Sequence, residues 1–156
     1  MFVDDLMVCG EKDEDIEHLK KLMNESFALT DGGNLDYYLG VEFEYPDDIN
    51  LVMHQRGYAE NLLEKFGMKD ANPVKTPLTP GIKLSLHDSP DEVDPELQRK
   101  YREIIGSLMY LYQWTRPDLG YAVTFLSRYL HKPGEAHMNA AKKVLRYLRG
   151  TTELGL

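Results

Sequence analysis

The chain has 156 residues, of which 42% are hydrophobic and 28% charged, with a formal net charge of −8; that suits one ordinary soluble domain or two small ones. No apolar run reaches the roughly 18 residues of a membrane helix, so neither a helical span nor a hydrophobic leader is expected. A single cysteine, Cys9, excludes an internal disulfide and a cysteine-based zinc site and fits a reducing intracellular setting.

The charge is unevenly spread. Residues 1–96 hold 22 acids against 8 lysines and arginines, a balance of −14, whereas residues 97–156 hold 4 acids against 10, a balance of +6. A basic segment inside an acidic chain is either a polyanion contact or a cationic surface that docks on the acidic half.

Residues 1–3 and 6–8 are short apolar runs flanking Asp4 and Asp5. The pattern predicts a strand, a tight turn with both carboxylates at its tip, and a returning strand. An acidic lead follows, reading as a solvated helix N-terminus, and opens a helix over 13–27 with Asp13 as its cap. Ile16, Leu19, Met23 and Phe27 fall on one face of that helix, to pack on a sheet, and Glu17 stands four residues before Lys21.

After a turn cluster at 30–34, the odd positions of 37–45 are apolar or aromatic while Glu42 and Glu44 fall between them. That alternation predicts one strand with a wet face. Pro46, Asp47 and Asp48 turn the chain and 49–54 returns, a second hairpin; turn chemistry accounts for this second acid pair. A helix over 56–66 buries Ala59, Leu62, Leu63 and Phe66, with Gly67 as its stop. Residues 68–96, with Pro73, Pro77, Pro80 and Pro90, read as a linker and subdomain boundary.

Beyond it the period is helical throughout. Leu97, Tyr101, Ile104, Ile105, Leu108 and Tyr112 form one stripe, with Gly106 and Ser107 small enough for another backbone to approach. Thr115 is expected to cap a second helix, with Pro117 in its first turn, and Pro133-Gly134-Glu135 opens a third that ends near Gly150. Short connections predict a three-helix bundle. Trp114 and the tyrosines are expected mainly as core residues rather than base-stacking platforms, and His137 as a packed, hydrogen-bonded histidine rather than a ligand. Lys142, Arg146 and Arg149 share one face of the last helix, with Lys143 beside them; they read either as a solvated face suited to the helix C-terminus or as a row of phosphate contacts. Neither a phosphate-cradling glycine loop nor a Ser-His-Asp nucleophile is found.

The ordered series FVDDL, YYLGVEF, GYAENLLEKFGM, VKTPL, YREIIGSLMYL, TRPDLGYAV, LSRYL and EAHMNAAKKVLRYLRGT resembles the reverse transcriptase of copia-type retrotransposons, an RNA-directed DNA polymerase, from its catalytic palm hairpin onward. The resemblance covers nearly the whole chain. It implies that Asp4 and Asp5 are catalytic and coordinate Mg²⁺, Asp4 the more directly, with Phe2 standing where the family usually has Tyr. It also implies that the Leu39-Gly40 hairpin positions the primer end, and that Lys142, Lys143, Arg146 and Arg149 contact the RNA/DNA template–primer. In the family the fingers, the first half of the palm with a third metal-binding carboxylate, and an RNase H domain lie in other segments. This stretch alone is therefore expected to be inactive.

The fold expected is α+β: a partial palm of two β-hairpins plus helices over 1–67, a linker over 68–96, and a thumb- or connection-like three-helix bundle over 97–156. Besides a polymerase segment, two readings stand: a non-catalytic nucleic-acid-binding module derived from a retrotransposon, and a protein-interaction domain using the acidic half.

Overall fold

The computed structural model describes residues 6–47 and 49–156, which divide at residue 37 into two compact units. The expected opening turn, with Asp4 and Asp5, lies outside the described residues. Its return over 6–8 is described and forms no strand.

The first unit contains one helix, α1 (Asp13–Asn24). Asp13, Glu14 and Asp15 occupy its first turn, where carboxylates oppose the positive end of the helix dipole. Lys12, not Asp13, stands at the cap, and Lys20, not Lys21, pairs with Glu17 at 2.8 Å. Lys20 also reaches Asp31 at 2.9 Å. Hydrogen bonds donated first to Glu17 and then to Asp31 hold the Lys20 ammonium above its usual range. The expected sheet-facing stripe is not buried: Ile16 and Met23 are half-buried, while Leu19 and Phe27 are exposed. Among the described residues this unit offers α1 no second helix or strand to pack on.

The second unit carries a three-stranded antiparallel sheet, β1 (Tyr37–Tyr38), β2 (Val41–Glu44) and β3 (Val52–His54), in the order β1-β2-β3. The single strand expected over 37–45 is instead folded back on itself. Leu39 and Gly40 both adopt positive φ, 48° and 84°, the requirement of a two-residue type I′ hairpin turn. The fold-back pairs Tyr38 with Val41 and Tyr37 with Glu42. It therefore moves Tyr37 off the Val41 face and onto the wet face with Glu42, where Tyr37 is exposed. The Tyr110 hydroxyl donates to the Leu39 carbonyl and pins the turn from outside.

The second hairpin is present with a shorter return: Glu42 faces His54, Phe43 faces Met53, and Glu44 faces Val52. In its turn the Asp47 carboxylate accepts from the backbone amides of Ile49 (2.9 Å) and Asn50 (2.7 Å) and from the Asn50 side chain. These bonds, the Asn50 side chain foremost, hold its carboxyl below the usual range. On the outer edge of β3, Met53 and Leu156 exchange two backbone hydrogen bonds of 2.8 and 2.9 Å, so residues near 156 cover that edge.

Four helices build the core. α2 (Arg56–Lys65) buries Ala59, Leu62 and Leu63, as its spacing predicts. Gly67, at φ 66°, ends it in a Schellman motif: its amide bonds the Glu64 carbonyl and the Met68 amide the Leu63 carbonyl. α3 (Pro95–Trp114) starts earlier than its apolar stripe, because Pro95 opens it and the Asp94 carboxylate accepts from the Glu96 amide at 2.9 Å. α4 (Gly120–Ser127) and α5 (Glu135–Arg149) complete the set. Ile104, Ile105, Leu108, Leu126, Val144 and Leu145 are among the side chains fully removed from water where α3, α4 and α5 meet. At the start of α5, the His137 ring accepts from the Gly134 amide at 2.9 Å and stacks on Tyr129 at 4.1 Å. This is the packed, hydrogen-bonded histidine the sequence predicts, and burial pushes its pKa down.

Three local expectations are corrected. Thr115 does not cap the next helix; it ends α3, and its buried hydroxyl donates to the Gln55 side-chain oxygen at 3.0 Å. Gly106 meets no neighbouring backbone, since it lies on the exposed side of α3. Trp114 is 42% exposed rather than core.

Of residues 68–96, expected as a linker, the last two already belong to α3; the rest hold only a short 3₁₀ turn at Leu86–Asp88 but are fastened to the helices. Leu78 is buried in the core, and the hydroxyls of Tyr129 and Ser89 donate to the carbonyls of Leu84 (2.7 Å) and Lys132 (2.6 Å).

Gly40→Ala is expected to destabilise the chain by at least about 1 kcal/mol, because alanine is strained at this φ and its Cβ would strike the Tyr110 hydroxyl. Urea unfolding followed by circular dichroism checks this, as a lower midpoint at unchanged slope.

Candidate nucleic-acid interface

The amphipathic sequence of α5 turns Ala141, Val144, Leu145 and Leu148 inward and thereby sets Lys142, Lys143, Arg146 and Arg149 on the opposite side. Lys142 is exposed and makes no hydrogen bond or ion pair among the described residues. The other three hold residues 68–80. Lys143 Nζ donates to Thr79 Oγ1 at 2.7 Å, Arg146 Nε to the Asn72 carbonyl at 2.7 Å, and Arg149 Nε to the Lys69 carbonyl at 2.6 Å. The Val74 amide returns a bond to the Arg146 carbonyl at 3.4 Å.

Each arginine uses only its Nε in these contacts, so the two terminal nitrogens of each guanidinium have no protein partner among the described residues. Held at Nε, a guanidinium loses much of its freedom to reorient while keeping the fork that matches a phosphate. Sequence reasoning grouped these four cations correctly but missed that most of them also clamp the preceding segment.

It missed the role of a third arginine altogether. Arg116 is 2% exposed. Its Nε and Nη2 grip both oxygens of Asp118 at 2.9 and 2.8 Å, and Nη1 and Nη2 donate to the Thr151 carbonyl (2.8 Å) and hydroxyl (2.7 Å). Tyr147 places its ring 5.9 Å from the guanidinium. Burial pushes the Asp118 carboxyl up, but the Arg116 hydrogen bond and charge, with the Tyr147 hydroxyl, more than reverse this and leave it below the usual range. The available signal was Arg-Pro-Asp itself, an arginine two residues from one of only four acids in 97–156.

Asp4 and Asp5 lie outside the described residues, so no geometry bears on them. Among the described residues no group of three or more histidine, cysteine or carboxylate side chains is arranged to hold a metal. No described helix is long and apolar enough to cross a membrane.

The order of segments is matched elsewhere. A family profile described as reverse transcriptase (RNA-dependent DNA polymerase) matches residues 1–80, just over half of the chain. The chain belongs to the reverse transcriptase family. The retrovirus-related Pol polyprotein of transposon RE2 from Arabidopsis thaliana is 40% identical to it over 100% of this chain and 10% of the polyprotein. That of transposon TNT 1-94 from Nicotiana tabacum is 39% identical over 97% of the chain and 12% of the polyprotein. An uncharacterized mitochondrial protein of Arabidopsis thaliana is 34% identical over 100% of the chain and 62% of its own length. This reverse transcriptase segment thus spans about a tenth of the length of the Pol polyproteins it matches. No solved structure matches it significantly.

Asp118→Asn is expected to cost about 3 kcal/mol at neutral pH, since it leaves the Arg116 guanidinium buried without its counter-charge. A carboxyl held below its ordinary value of 3.8 contributes stability above that value and loses it as pH falls through the lower folded value. Urea midpoints from pH 7 to pH 2 should therefore fall less steeply below pH 3.8 in Asp118→Asn than in the parent chain.

Proposed function

We propose that this segment supplies part of the catalytic palm and a helical thumb- or connection-like region to an RNA-directed DNA polymerase encoded by a retrotransposon. The observation that carries this reading is the 40% identity to a transposon Pol polyprotein along the whole chain. In this reading residues 1–67 belong to the palm, residues 68–96 connect, and α3, α4 and α5 form the three-helix bundle.

Asp4 and Asp5 would hold Mg²⁺, an ion that favours carboxylate oxygens in an octahedral shell. Bound there, paired ions supply activation of the attacking hydroxyl and stabilisation of the leaving oxygen. Two carboxylates adjacent in sequence fix such a shell poorly by themselves, so activity belongs to the longer polyprotein and not to these 156 residues alone. What this chain contributes besides is positioning. The Leu39-Gly40 turn, fixed by Tyr110, would address the primer end, and the cations of α5 would hold the template–primer by its phosphates.

Binding of the purified chain to an RNA–DNA hybrid should weaken as salt rises. Lys142→Glu is the clean variant, because Lys142 clamps nothing; it should lower affinity several-fold and reduce the salt slope by about one. Lys142→Glu with Arg146→Glu should lower it further. Fluorescence anisotropy across a salt series reads both, and unchanged affinity in the double variant would remove the phosphate contacts from this account. Primer extension by the purified chain with Mg²⁺ or Mn²⁺, abolished by Asp4→Asn, would contradict the assignment of activity to the longer protein.

A further inference from the structure

The outer face of α4 carries an arrangement that neither the polymerase reading nor the α5 cations absorb. Tyr121 and Phe125 lie at i and i+4 on α4, and Arg128, its C-cap residue with helical backbone angles, continues the same side at i+7. The Tyr121 and Phe125 rings are nearly parallel, 7° apart with centroids at 6.0 Å, and the Arg128 guanidinium stands 5.8 Å from the Phe125 centroid. Tyr121 is 77% exposed, the most open aromatic ring among the described residues.

The ladder is anchored from below. Phe125 meets the buried Tyr129 edge-on at 6.0 Å, and Tyr129 stacks on His137. The outermost ring, Tyr121, thus lies parallel to an anchored Phe125 and is largely open to solvent. Arg128 has no carboxylate partner among the described residues, and of the ten cations in 97–156 only Arg99 and Arg116 are ion-paired there. An open ring and an unneutralised guanidinium that both contact Phe125, on a segment of net +6, complement a ligand with flat π-faces and a polyanionic backbone.

We propose that Tyr121, Phe125 and Arg128 form a stacking platform for an unpaired stretch of nucleic acid, with a base on the open face of Tyr121 and a phosphate on Arg128. The inference rests on the nucleic-acid reading above and adds to it a second site, which recognises a base as well as backbone. Such stacking is tolerant of sequence, because every base offers a π-face.

The test uses the purified 156-residue chain, a 12-nucleotide oligoadenylate, and the same length of abasic sugar–phosphate chain. Tyr121→Ala should lower affinity for the oligoadenylate by about tenfold, the effect of one lost base–aromatic stack. It should leave the abasic chain and the salt slope unchanged. Tyr121→Trp should keep the affinity and show indole quenching on binding. Equal loss on both ligands, or a change of less than twofold on the oligoadenylate, overturns the platform, as does failure of the parent chain to bind either ligand. Loss in Lys142→Glu, Arg146→Glu with none in Tyr121→Ala would leave the α5 interface standing and remove the platform. The reverse pattern would keep the platform and remove the interface. If the α4 face instead docks a protein, the Tyr121 variants bind nucleic acid like the parent, which equally overturns the proposal.

Discussion

A guanidinium stripped of water must recover nearly all of its hydrogen bonds from protein, and Arg116 meets that constraint with four of them. Its partners come from two places in the chain: Asp118 lies in the turn between α3 and α4, and Thr151 follows α5. The buried charge therefore fixes the junction between α3 and α4 against the end of α5. From Thr151 the chain runs to Leu156, whose backbone pairs with Met53 on β3. Arg56 joins the same region through Glu153 at 2.8 Å. Sheet and helices are thus tied at one end of the second unit by directional polar contacts, while the apolar faces of α2 to α5 supply the bulk of the burial.

The α5 cations show how side chains can fasten a neighbouring segment and still present free donors. Arg146 and Arg149 fasten residues 69–72 through Nε and keep their terminal nitrogens unpartnered among the described residues. A long side chain fixed near its end loses less entropy on meeting a phosphate than one that swings freely. The segment 68–80 in this way orients the cations it covers. Lys142, with no such bond, is the freest of the four.

How much was legible in the sequence follows from the range of the forces involved. Helical periods located α2, α3, α4 and α5 because one apolar face of each lies in a common core, and amphipathic spacing records that directly. Gly67 was readable as a stop because only its left-handed backbone closes the Schellman bonds. The hairpin within 37–45 was named by the family resemblance but was not readable in the periodicity. Apolar alternation there suggested a continuous strand, and the decisive contact comes from Tyr110, 71 residues away in sequence. The burial of Leu78 and the Arg116–Thr151 pair escaped for the same reason, being set by long-range packing. The α1 stripe was legible as a helix face, yet the described part of its own unit gives it no apolar partner. For the candidate site, grouping of the cations followed from helix geometry, whereas Asp4 and Asp5 rest on the family resemblance alone.

The central claim, that the cationic side of α5 meets nucleic acid, is tested most directly by lysine acylation of the free and hybrid-bound chain read by mass spectrometry. An RNA–DNA hybrid should protect Lys142 strongly and leave Lys12 and Lys21, in the first unit, reacting as they do in the free chain. Unchanged reactivity at Lys142, with protection confined to residues 1–36, would contradict it.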